Sequence, residues 1–176
     1  MELTMGKMWA MQKRLQDKYA AKWGEPIEPA TALNKYLWAI GELAEAVDIV
    51  KKCGDFEIMN KPDVRHDFVE EMGDVFMYLF DVMLCLDKKA EAIGVDKVSE
   101  LFSGAPGGDP RREMLKLYGV MSRAGEVLMA GDYEAFVPQI QQVMRGLAAG
   151  MECYKVTPEE FSKIYQEKCD RNINRW

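Results

Sequence analysis

Carboxylates three residues apart recur along this chain: Glu25/Glu28, Glu42/Glu45, Glu45/Asp48, Asp67/Glu70, Glu71/Asp74 and Glu167/Asp170. A single such pair says little, because an i, i+3 pair of acids is the usual content of a solvated helix face. Glu42/Glu45 and Glu71/Asp74 differ in setting. They lie within the two segments with the strongest apolar periodicity, beside the small residues Gly41, Ala44 and Gly73. The spacing puts both acids of a pair on one helix face, and an antiparallel arrangement of two neighbouring helices brings all four carboxylates to one place. Like charges at that range raise one another's pKa and require a counter-charge. With oxygen donors only, the counter-charge expected is a hard cation, Mg²⁺ or Mn²⁺, of the kind that arrives together with substrate phosphates.

A cationic row at the other end of the sequence complements them. Lys168, Asn172 and Arg175 stand at spacings of four and three, one face of a helix. Such a row could hold a phosphate chain against the cations, although helix-end cations also occur simply because the macrodipole favours them. Lys51, beside Lys52, is a further candidate cation for substrate. Gln12 and Trp23 near the N-terminus are candidates to hydrogen-bond and stack on a base, against the alternative that aromatic residues at helical spacing form core.

The elements needed to position these residues are all helical. Alanine, leucine, methionine and charged residues dominate and no alternating β-branched run occurs. The pattern predicts helices over about 5–23, 30–52, 64–93, 111–130 and 133–153, with a last one beginning at Thr157, where Thr157, Pro158 and Glu160 read as N-cap, first turn and capping box. The second helix is expected to bury Leu33, Leu37, Ile40, Ala44, Val47 and Val50, and the third Phe68, Met72, Val75, Leu79, Val82 and Leu86. The Gly- and Pro-rich stretch 102–110 reads as a linker, and no G-K-[ST] follows to make it a P-loop.

Composition narrows the function. The 176 residues, 48% hydrophobic and 30% charged, suit one globular domain. No run is apolar enough to span a membrane, since Asp81 interrupts the best candidate, Val75–Leu86, and no secretory signal is expected. Four scattered cysteines and the single histidine, His66, cannot make a zinc site of the usual kind. Reduced thiols in a cytoplasmic protein are expected, with Cys85 in the core. His66 is expected at the surface or a cap. A net charge of −6 argues against a broad nucleic-acid surface.

Glu42-x-x-Glu45 followed by Glu71-x-x-Asp74 resembles the E-x-x-E…E-x-x-D signature of the all-α nucleoside triphosphate pyrophosphohydrolases, the superfamily of MazG and the dimeric dUTPases. Gln12-x-x-Leu15, Glu71-Met-Gly-Asp74 and the ending Tyr165-x-x-Lys168-x-x-x-Asn172-x-x-Arg175-Trp176 resemble it as well. The resemblance implies an all-α bundle, Mg²⁺ held by Glu42, Glu45, Glu71 and Asp74, phosphate contacts from Lys168, Asn172 and Arg175, and a homodimer. The implied reaction is hydrolysis of a nucleoside triphosphate, dUTP or another pyrimidine or non-canonical nucleotide, to the monophosphate and pyrophosphate, with Glu42 or Glu45 accepting a proton from water.

A weak internal echo fits that resemblance. Lys35–Val47 aligns with Lys116–Leu128, and Gly54-Asp55-Phe56-Glu57 with Gly131-Asp132-Tyr133-Glu134. The second half keeps Glu126 but has Arg123, Gln139 and Gln142 at the other acidic positions, so one active site per chain is expected. Gln16 and Ala20 stand where the dimeric dUTPases usually show asparagines, which weakens a uracil preference. Two rivals remain: a di-iron or di-manganese bundle, disfavoured because no Glu-x-x-His pair exists, and a catalytically inactive helical nucleotide-binding or interaction module.

Overall fold

A computed structural model describes residues 2–23, 26–104 and 108–175; the side chain of Trp23 lies outside what is described. Six α-helices account for the architecture: α1 Met5–Trp23, α2 Ala32–Asn60, α3 Pro62–Cys85, α4 Pro110–Met129, α5 Tyr133–Glu152 and α6 Pro158–Asn174. Short 3₁₀ turns lie at Pro29–Thr31, Ala90–Ile93 and Val98–Glu100. The chain is all-α, with no strand among the described residues. No helix is long and apolar enough to cross a membrane.

The bundle is organised around α3. Phe68, Met72, Val75, Leu79 and Val82 are fully buried and Leu86 nearly so, as their periodicity predicts. Val69, Phe76, Phe80 and Met83 are buried too, so α3 is covered on almost every side: by α2, α1, α5 and α6. Cys85 is buried, and His66 is part-exposed near the start of α3. Helices α4 and α5 form a second hairpin that closes the other flank through Leu117, Met121, Ile140, Val143 and Leu147.

Two expectations about α2 are corrected. The buried face is Ala32, Tyr36, Ala39, Leu43 and Ala46, while Leu33 and Leu37 are exposed and Ala44 faces solvent. The helix is apolar on two sides, and an alanine- and tyrosine-lined stripe can approach α3 and α4 more closely than a leucine-lined one. The Tyr36 hydroxyl donates to the Met121 carbonyl at 2.7 Å, which fixes that choice. The helix also does not stop at residue 52. It bends at Gly54, whose φ of 75° and ψ of 165° belong to a region essentially reserved for glycine, and continues to Asn60.

The third helix ends at Cys85 rather than near residue 93. Asp87 adopts a positive φ, its N–H bonds the Leu84 carbonyl, and Lys88 N–H bonds the Met83 carbonyl, a Schellman stop made without glycine. Gly131 makes the same stop after α4, with Asp132 N–H on the Val127 carbonyl. At α6, Thr157 Oγ1 accepts from the Glu160 N–H as expected of an N-cap. The Glu160 carboxylate is not spent on a capping box; it pairs with Arg65, which also donates to the Tyr154 and Lys155 carbonyls and so pins the α5–α6 turn to α3.

Candidate metal and phosphate site

Helices α2 and α3 form a hairpin that turns at Lys61, and their acidic pairs meet across it. Carboxylate oxygens of Glu42, Glu45 and Glu71 all lie within 4.8 Å of one another, the spacing of ligands around a single cation. Among the described residues this is the one such group of acids, thiols or imidazoles, so the second hairpin supplies none. Glu126 and Arg123 are both exposed on α4, Gln142 is exposed on α5 and Gln139 is half-buried there.

Electrostatics shows what the convergence costs. The Glu42 carboxyl is pushed up to about 7, first by burial and then by Asp74, Glu45 and Glu71. Burial also raises Glu71, with Asp74 adding to the effect and Lys168 opposing it. Asp74 is raised by burial against the pull of Lys168. A divalent cation relieves all three at once. The donors are carboxylate oxygens only, from rigid helices, and this set fits Mg²⁺ or Mn²⁺.

Asp74 takes a different place from the other three acids. Its carboxylate accepts from Lys168 Nζ at 2.8 Å, so it joins the acidic cluster to α6. Hydrophobic packing delivers that lysine: Phe161 lies 4.9 Å from Phe76, ring centre to ring centre, and Phe161 and Tyr165 lie over Gly73. Lys168 follows one turn after Tyr165 on the same face. Asn172 and Arg175 line the same open cavity, of about 910 Å³, with Glu70 and Arg171. Lys168, Asn172 and Arg175 therefore line one cavity, and Lys168 joins it to the acids through Asp74.

Lys51 is not. It stands exposed nine residues after Glu42, about half a turn round the helix from it. Gln12 is buried, and its Nε2 donates to Asp81 Oδ1 at 2.7 Å; Gln16 Nε2 donates to Asp81 Oδ2 at 2.7 Å. Asp81 follows Asp74 by two helical turns on the same face of α3, with Tyr78 between, so this polar cluster adjoins the acids along the helix. Trp38, half exposed, stands edge-on to Tyr78 with the buried Lys35 ammonium 4.8 Å from its ring. The Gln12 Oε1 acceptor is buried without a hydrogen-bond partner.

Glu70, Arg171, Asp81 and Gln16 belong to this region and were not singled out by spacing. Asp81 carried a usable signal, a lone acid in an apolar run two turns beyond Asp74. Glu70 carried none, as one more acid in an acid-rich segment. Comparison with family models, with curated proteins and with solved structures finds no match to the chain.

Proposed function

We propose that the chain is a metal-dependent phosphoanhydride hydrolase. The observation that carries this reading is the meeting of Glu42, Glu45 and Glu71 within ligand distance of one another, with the α6 cations joined to them through Lys168 and Asp74. An oxygen-only acidic cluster joined by a lysine to a cavity lined by an asparagine and arginines suits a substrate that is itself a polyanion carrying a divalent cation.

More narrowly, the reaction is hydrolysis of a nucleoside triphosphate to the monophosphate and pyrophosphate, as in the MazG and dimeric dUTPase superfamily that the sequence resembles. The substrate class is dUTP or another pyrimidine or non-canonical deoxynucleotide, and the role is cleansing of the nucleotide pool. Glu42, Glu45, Glu71 and Asp74 would hold Mg²⁺, which when bound supplies neutralisation of the phosphate oxygens and acidification of water. Glu45, the exposed member of the cluster, accepts the proton of the attacking water. Lys168, Asn172 and Arg175 hold the phosphate chain. The α4–α5 hairpin is a degenerate copy of α2–α3 that supports the bundle; glycines of positive φ at matched positions, Gly54 and Gly131, favour that reading. The exposed row Leu33 and Leu37 on α2 is the face assigned to a second copy in a homodimer.

Pyrophosphate release from a panel of canonical and modified nucleoside triphosphates with Mg²⁺ tests the proposal. Wild-type protein is expected to act selectively, and Glu45→Ala and Asp74→Ala to lose at least a hundredfold in rate. No release from any nucleotide by folded wild-type protein would leave an inactive binding module instead.

A further inference from the structure

Glu70 precedes the acidic ligand Glu71 on α3 and points to α6 rather than to the acidic cluster. Its carboxylate receives two cations, Lys168 Nζ at 3.2 Å and the guanidinium of Arg171. Lys168 in turn is shared with Asp74. Two carboxylates and two cations thus close a neutral set at the boundary between the acids and the α6 cavity.

Docking of α6 has an apolar basis of its own apart from this set. Phe161, Ile164, Tyr165, Cys169 and Ile173 are buried along its inner face, and Arg171 is half exposed, a setting in which an ion pair contributes little to stability. A carboxylate that holds a guanidinium and an ammonium together presents them with the oxygen pattern they would also meet on a phosphate. The cavity alongside has ample room for a pyrophosphate group and carries Asn172 and Arg175 on its wall.

We propose that Glu70 is an internal stand-in for phosphate, and that Lys168 and Arg171 form a clamp which the pyrophosphate end of the substrate takes over from it. Arg171 is then a phosphate-binding residue, and Glu70 is a positioning residue that keeps both cations assembled and, by reclaiming them, promotes release of the product. The identity of the anion rests on the hydrolase reading above.

The sign of one substitution separates this from a purely structural ion pair. A supporting carboxylate would, when neutralised, let the cations stray and weaken anion binding. A competing carboxylate would, when neutralised, strengthen it. Titration calorimetry with inorganic pyrophosphate and Mg²⁺ is expected to show roughly tenfold tighter binding by Glu70→Gln and roughly tenfold weaker binding by Arg171→Met. With nucleotide, Glu70→Gln is expected to lower KM without raising kcat. Unchanged or weaker pyrophosphate binding by Glu70→Gln overturns the proposal. Should that variant fail to fold, wild-type affinity in Arg171→Met, at an exposed position, overturns it alone. Tighter pyrophosphate binding by Glu70→Gln with no nucleotide hydrolysed by wild type would remove the reaction and keep the clamp. Hydrolysis with pyrophosphate affinity unaltered in both variants would do the reverse.

Discussion

Binding of Mg²⁺ to the acidic cluster is expected to depend on pH in the neutral range, where ordinary carboxylate sites are already fully ionised. The cause is Glu42, whose carboxyl is held up at about 7 by burial and by Asp74, Glu45 and Glu71. A cation binds the ionised form, so protonated Glu42 competes with it. With that pKa roughly one-tenth of the sites are ionised at pH 6 and roughly nine-tenths at pH 8, and apparent affinity rises about tenfold between them. About half a proton leaves per ion bound at pH 7, and Glu71 and Asp74, both raised, add in the same direction. Calorimetric titration of Mg²⁺ in buffers of different ionisation enthalpy measures both quantities. Glu42→Gln should bind the ion more weakly, with a shallower pH slope. A carboxyl raised from 4.5 to about 7 contributes stability that is fully present below 4.5 and is lost as pH rises through about 7. That contribution should shrink when saturating Mg²⁺ is present. An affinity for Mg²⁺ that stays flat from pH 6 to 8, with no proton released, would refute the claim that these carboxylates crowd one site.

Further expectations concern stability and assembly. Gly54→Ala forces a side chain into backbone space nearly confined to glycine and should cost about 1 to 3 kcal/mol, read from chemical denaturation. Asp81→Ala strands the Gln12 and Gln16 amides in the core and should cost about 2 to 4 kcal/mol; a loss under 0.5 kcal/mol would mean water replaces the carboxylate freely. Phe161→Ala should remove about 3 to 5 kcal/mol, and weaken pyrophosphate binding as well, because that ring seats the helix carrying Lys168. Leu37→Glu alters an exposed side chain, so it should leave the melting temperature within a few degrees while lowering the sedimentation coefficient to that of a monomer; an unchanged coefficient would refute the assigned dimer face.

The helical class was legible because local propensity and periodicity agree along most of the chain, and α3 was legible in detail because its apolar residues face a core on nearly all sides. The inner face of α2 was not. Leu33 and Leu37 outweigh Tyr36 and Ala39 on any hydrophobicity scale, yet the choice between two apolar faces was decided by how closely α4 approaches, which is a tertiary matter. The same division holds at the site. Spacing alone placed Glu42 with Glu45 and Glu71 with Asp74 on shared helix faces, and the hairpin then joined Glu42, Glu45 and Glu71. Glu70 and Arg171 are 101 residues apart, and their pairing exists only because aromatic packing docks α6 on α3. Helix ends divide similarly: Thr157 announces its cap, whereas Asp87 stops α3 in a conformation that sequence usually signals with glycine.

The order in which the two charged halves of the site appear along the chain sets a schedule for its assembly. The hairpin bearing the acids is complete by Cys85, while Lys168 lies on the last helix. A chain emerging from the ribosome therefore presents its cluster of carboxylates to solvent long before their cationic partners exist. During that interval a divalent cation would neutralise them, and Lys168 would later meet any such ion as a competitor for Asp74. Refolding should then be faster in Mg²⁺ than in its absence, since in the second case the hairpin must carry its own repulsion until α6 arrives.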